Sequence, residues 1–90
     1  MNYKYTLSDK WIQITKKLSE FRNGGMQVTI RTLNGEVFEQ ILISNSKHIV
    51  AMKNNCDLPF SLKDIDAIYQ TKNDINPIEK GKWDYWDDWS

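Results

Sequence analysis

Between Val28 and Met52, apolar and polar side chains roughly alternate on both sides of Asn34-Gly35. Asn-Gly flanked by alternating apolar residues is the strongest short-range signal of a β-hairpin, because a tight hairpin turn needs positive φ and these two residues tolerate it best. The spacing predicts antiparallel strands at about 26–33 and 36–43. A two-residue Asn34-Gly35 loop would set Arg31 opposite Phe38, Ile30 opposite Glu39 and Val28 opposite Ile41. Ile30 opposite Glu39 is a mismatch in that register. It implies that Glu39 sits at the open end of a barrel, or that a bulge shifts the second strand. Ile41-Leu42-Ile43 is apolar on both faces and so needs a second covering layer.

The segment before the hairpin supplies one. Trp11, Ile14, Leu18 and Phe21 recur at helical spacing, with Lys10, Lys16, Lys17 and Glu20 off the stripe and Ile12 at its margin. Thr6-Leu7-Ser8-Asp9 has capping-box spacing, and Ser8 is a rival N-cap. Asn23-Gly24-Gly25 stops the helix, since glycine takes the left-handed position after a helix end freely. A helix over 8–22 follows, preceded by Tyr3 and Tyr5, two apart, as a short strand or an extended arm.

Beyond the hairpin, Ser44-Asn45-Ser46-Lys47 is a polar turn, and His48 to Met52 reads as a third strand over 48–52. After a second polar loop, Leu58-Pro59-Phe60 suggests a fourth strand at 58–61, at an edge or a bulge because Pro59 has no N–H to donate. Ser61 to Asp64 is a tight turn and 65–70 a fifth strand. The predicted fold class is mainly β with one N-terminal α-helix: a five-stranded small barrel in a single domain over 1–70. Residues 71–82 are polar and without period. Residues 71–90 form a separate C-terminal aromatic and acidic segment, expected to dock.

A 90-residue chain supports one small core. Its net charge is zero, but residues 1–31 carry six Lys/Arg against two acids, and residues 32–90 carry ten acids against six Lys. That excludes a globally basic surface for coating nucleic acid. A single cysteine, Cys56, excludes an intrachain disulfide and favours a cytoplasmic location. The first 25 residues show no apolar leader core, and no run approaches the ~18 apolar residues of a membrane span. Abundant Asn, Lys and Ile point to a bacterial or phage origin.

Helix followed by five short strands is the element order of the Sm-like and SH3-like small β-barrels, and residues 8–70 resemble that order. Val28-x-Ile30 with Leu33-Asn34-Gly35 is similar to the first Sm motif, and Phe60-Ser61-Leu62-Lys63-Asp64-Ile65 with Ile68 is similar to the second. The departures fall on the functional positions. Gln40 stands where the family has a mid-strand glycine. The family's uridine-reading Asp and Met-Asn pair would fall near Asn45 and at His48-Ile49. Leu62-Lys63 replaces the Arg-Gly before the second-motif Asp. The element order also resembles that of the Rho-binding antitermination proteins, a helix plus a small barrel that acts by protein contact. The resemblance implies a barrel scaffold, without the base-binding residues.

No catalytic or metal constellation emerges. His48, the only histidine, has no Cys or second His at metal-ligand spacing and reads as a partly exposed sheet residue. Cys56 lies beside Asp57, a setting that works against a nucleophilic thiolate. Asp64 and Asp66 share a face but lack a companion His or Tyr. Asn23-Gly24-Gly25 follows a helix, the wrong order for a phosphate cradle.

Two groups of residues remain. The last octet interleaves Trp83, Tyr85, Trp86 and Trp89 with Asp84, Asp87 and Asp88; Trp and Tyr are the usual anchors of interfaces. This segment, with a strand edge, is the expected surface for a protein partner or for self-association, in a non-enzymatic interaction or regulatory module without a cofactor. Lys10, Lys16, Lys17, Arg22 and Arg31 form the alternative, an Sm-like protein that binds RNA or other single-stranded nucleic acid through a basic helix. No membrane contact and no small-molecule substrate is indicated.

Overall fold

The computed structural model describes residues 3–20, 24–53, 55–76 and 86. Strand β1 (Tyr5–Thr6) leads into helix α1 (Asp9–Thr15). The hairpin strands β2 (Gly25–Thr32) and β3 (Val37–Ser44) follow, then β4 (His48–Met52), a 3₁₀ turn (Leu62–Asp64), β5 (Ile65–Tyr69) and a one-turn helix α2 (Lys72–Ile75). The strands form one curled antiparallel sheet in the order β1-β4-β3-β2-β5. The fold is therefore mainly β with a helix near the N-terminus, a small barrel-like half-shell.

The hairpin forms where expected, but its turn is longer. Arg31 pairs with Val37 and Ile30 with Phe38. Leu33-Asn34-Gly35 is thus a three-residue loop, closed by the Gly35 N–H donating to the Thr32 carbonyl at 3.0 Å and the Thr32 N–H to the Glu36 carbonyl at 2.9 Å. Gly35 takes φ 87°, as the last position of this turn requires. The Asn34 side-chain oxygen accepts from the Thr32 hydroxyl and the Glu36 N–H, which favours this turn over the two-residue one.

The Ile30–Glu39 mismatch is removed by a bulge. Val28 pairs with Ile41 and Ile30 with Phe38, so Glu39 and Gln40 together oppose Thr29, and Gln40 adopts φ 56°. Similar shifts leave Val50 extra in β4 and Asp66 extra in β5. An extra residue reverses the alternation of faces. That is how Phe38 and Ile41, Ile49 and Met52, and Ile65 and Ile68 all reach the same core despite odd spacings.

Met26, Val28, Ile30, Ile41, Ile43, Ile49, Ile65 and Ile68 line that concave core, and Trp11 on α1 and Leu7 just before it complete the cluster. Ile12, Ile14 and Leu18 pack at its edge. Leu42, the outward member of the doubly apolar triplet, is not covered by the helix. It packs with Val50, Ala51 and Tyr3 on the opposite face.

Two predicted elements differ. The helix spans Asp9–Thr15 rather than 8–22, with turns continuing to Leu18. Its exit is set by tertiary contacts. The Thr15 hydroxyl turns back to the Ile12 carbonyl and reaches the Ser46 carbonyl at 2.7 Å. The Gln70 amide clasps Ser19, accepting from its N–H at 2.9 Å and donating to its carbonyl at 2.7 Å. Phe21, Arg22 and Asn23, on which the end of the predicted helix and the first residue of its stop signal fell, lie outside the described residues; Gly24 of that signal takes φ 78°, and Gly25 opens β2. Ser8 is the N-cap and makes no side-chain cap bond, while the Thr6 hydroxyl meets His48. Residues 58–61 are irregular, with a bend at Pro59-Phe60, rather than a strand; Pro59 cannot donate, and β1 takes the place beside β4. Leu58 and Phe60 still contribute side chains to the core.

The packed body continues past Gln70. Thr71 and Asp74 cap α2 reciprocally, and Asp74 is 1% exposed. Its carboxylate accepts from Gln27 Nε2 at 2.8 Å, the Thr29 hydroxyl at 2.7 Å and the Thr71 N–H at 2.9 Å. A buried carboxylate is tolerated because its oxygens are supplied with donors.

Candidate protein-interaction site at the β4 edge

Strand β4 begins His48-Ile49-Val50-Ala51, and its β-branched pair suits a pleated, covered strand. One long side is held by β3. The other is divided between two segments from opposite parts of the chain. Near its start, Tyr5 pairs with Ile49 and Thr6 with His48, and the Leu7 N–H donates to the Lys47 carbonyl at 2.7 Å. Farther along, at the bulged residue, the backbone N–H of Trp86 donates to the Val50 carbonyl at 3.1 Å.

The Trp86 indole then turns into the structure. Its Nε1–H donates to the Asn55 carbonyl at 3.0 Å, and its ring meets Tyr5 edge to face with centroids 5.8 Å apart. It is half-buried and packs against the main core. Of the tail residues expected at an interface, Trp86 is thus seated on the chain's own sheet. Trp83, Asp84, Tyr85, Asp87, Asp88 and Trp89 lie outside the described residues.

Aromatic and acidic neighbours frame this seat. Tyr3 stacks face to face on His48 at 3.6 Å, and His48 Nδ1 lies 3.0 Å from the Thr6 hydroxyl. The Tyr5 hydroxyl donates to Asp57 Oδ1 at 2.5 Å, and the Leu58 N–H donates to the same oxygen at 2.8 Å. The Tyr5 hydrogen bond first, then the Leu58 bond and the nearby charge of Lys4, hold the Asp57 carboxyl below the usual aspartate range. Tyr5 therefore joins the strand edge, the Asp57 loop and Trp86. Its spacing from Tyr3 was the only sequence signal of this role, and nothing local tied either tyrosine to Asp57 or to the tail.

The basic residues do not converge. Lys10, Lys16 and Lys17 are exposed around α1. Lys10 Nζ lies 4.7 Å over the ring of Trp11, which is 8% exposed and so turned to the core rather than offered for base stacking. Arg31, on β2, is engaged by Asp66, Nη2 to Oδ2 at 2.8 Å. Arg22 lies outside the described residues. Lys10 and Lys63 do flank a groove of about 360 Å³ floored by Leu7, Trp11 and Leu62.

His48 sits at the start of β4 as a half-buried sheet residue, and Cys56 is exposed in its loop. Asp64 and Asp66 separate, one in the 3₁₀ turn and one at the β5 bulge. Among the described residues no cluster of three or more His, Cys, Asp and Glu is arranged to hold a metal ion, and no helix is long and apolar enough to cross a membrane. No family model matches the chain, and neither curated proteins nor solved structures show a significant match to it.

Proposed function

We propose that the chain is a small, cytoplasmic, non-enzymatic interaction or regulatory module that engages a partner protein, or a second copy of itself, through the β4 edge and the C-terminal segment around Trp86. One observation carries this reading: Trp86 is bound as an added strand would be, by its main-chain N–H to Val50 and its indole N–H to Asn55. Main-chain pairing to a sheet edge with an aromatic anchor in a neighbouring pocket is a recurring mode of peptide recognition. A segment held this way can exchange for an equivalent one from another chain.

The test is to delete residues 83–90 and offer them back as a labelled peptide. Saturable binding of the peptide to the truncated, folded chain, abolished when the peptide carries Trp86→Ala, is expected. Absence of binding, together with unchanged mass in light scattering and unchanged partners, overturns the reading.

Nucleic-acid binding in the manner of the Sm-like proteins is the second reading. It is favoured by the Lys10–Lys63 groove and by the positive φ of Gln40, at the position where that family places a glycine. A gel shift with single-stranded RNA at low salt decides it, because phosphate contacts are strongest there; no shift removes it.

A further inference from the structure

A second surface feature lies at the hairpin tip, away from Trp86. The Leu33–Gly35 turn and the Pro59–Phe60 segment face each other across a cavity of about 320 Å³. Phe38 and Phe60 form its apolar wall, with ring centroids 4.8 Å apart and planes tilted by 34°. Glu36 and Asp64 also line it. Among the described residues neither acid is in an ion pair. Glu36 is instead oriented by a neutral donor, the Asn34 amide at 2.8 Å. Leu33, 67% exposed, stands beside the cavity mouth.

Aromatic faces attract cations, and exposed carboxylates at the rim add Coulomb attraction that salt screens. An apolar wall under an anionic rim matches a ligand with an apolar stem and a cationic head, the build of lysine and arginine. The volume accommodates one such side chain, and exposed Leu33 offers contact to an apolar neighbour on the same segment. We propose that this cavity binds a lysine or arginine side chain presented by a partner protein. The stem lies against Phe38 and Phe60, and the head lies between Glu36 and Asp64. The site is independent of the Trp86 seat and stands if that seat proves purely structural.

The experiment titrates the labelled full chain with Nα-acetyl-arginine amide, followed by NMR of the Phe38 and Phe60 rings. Nα-acetyl-citrulline amide serves as the uncharged control. Saturable shifts of both rings are expected with arginine at millimolar concentration and not with citrulline. The apparent affinity should fall at least about tenfold in the Glu36→Gln/Asp64→Asn double variant and weaken as salt rises. Both substitutions are exposed and nearly isosteric, and the variant's amide spectrum reports directly on its folding. Equal shifts from citrulline, or equal affinity in the folded double variant, overturn the proposal. Light scattering across concentrations gives the remaining outcome. A chain that stays monomeric agrees with a foreign partner. An oligomer dissolved by Lys63→Ala or Lys10→Ala would place the occupant in a second copy and overturn that assignment.

Discussion

Gln27 and Asp74 meet 47 positions apart in the chain, in a buried 2.8 Å hydrogen bond between the middle of the sheet and a one-turn helix. Thr29 and Thr71 bind the same carboxylate. Asp74→Ala removes the acceptor of four donors, the Gln27 amide, the Thr29 hydroxyl and the Thr71 N–H and hydroxyl; the first two are buried, and each unsatisfied buried group costs about 1–3 kcal/mol. A loss of about 3 kcal/mol or more is expected in urea unfolding. Asp74→Asn keeps the shape and an acceptor oxygen and should lose about half as much. A loss below about 1 kcal/mol for Asp74→Ala would show that α2 is only loosely attached.

Backbone geometry gives a prediction of the opposite sign. Gln40, at the β3 bulge, and Ser46, at the turn into β4, hold φ of 56° and 62°. Side chains with a Cβ pay roughly 1 kcal/mol in that region, and glycine escapes this cost while losing more chain entropy on folding. Gln40→Gly and Ser46→Gly are each expected to raise stability, by about 0.5 kcal/mol net. The midpoint of chemical denaturation should increase with an unchanged slope. A fall at Gln40 would mean that its side chain contributes contacts outweighing the backbone relief.

At the β4 edge, Trp86→Phe keeps an aromatic ring beside Tyr5 and removes the donor to Asn55, which should cost about 1 kcal/mol. Trp86→Ala removes the ring as well and should cost about 2 kcal/mol, below the value for a fully buried tryptophan because this one is half-exposed. Circular dichroism in urea measures both. Equal losses would assign the effect to the indole hydrogen bond, and an unchanged Trp86→Phe would assign it to packing alone and remove that bond from consideration.

Asp57 supplies a pH dependence. Its folded-state carboxyl lies below its unfolded value, chiefly because Tyr5 donates to the ionised form. Its contribution is therefore complete above the unfolded value of about 4 and fades as pH falls through the lowered folded one. Tyr5→Phe should lower stability near pH 7, and the deficit should shrink as the pH is taken below about 4 and the carboxylate of the folded chain takes up its proton. A deficit independent of pH would assign the role of Tyr5 to its ring.

The hairpin, the third and fifth strands and the helix start were legible because they rest on local periodicity and turn chemistry. The length of the turn was not. Asn34 binding Thr32 and Glu36 favours the three-residue loop, and a dipeptide signal does not distinguish the two. The bulge near Glu39 was foreshadowed by a polar residue falling opposite Ile30. Those at Val50 and Asp66 left no such mark. Leu58-Pro59-Phe60 has strand-like composition, yet its side chains reach the core without ladder pairing. The helix ended early through Ser46 and Gln70, partners 31 and 51 residues away. Thr71-x-x-Asp74 carried the capping pattern in a stretch without apolar period, and nothing in the neighbouring residues marked Asp74 as buried.

The divided edge of β4 has a consequence for solubility. An uncovered strand edge is a row of free N–H and C=O groups that can template pairing with other molecules. Here β1 covers His48 and Ile49 while Trp86 meets Val50, so neither guard suffices alone. Clipping of the chain after β1 and clipping before Trp86 would bare adjoining parts of the same strand, β4, whose His-Ile-Val-Ala-Met sequence carries no Lys, Arg, Asp or Glu. Either cut turns the folded chain into a nucleus for edge-to-edge aggregation, and proteolytic damage at two distant places has one physical outcome.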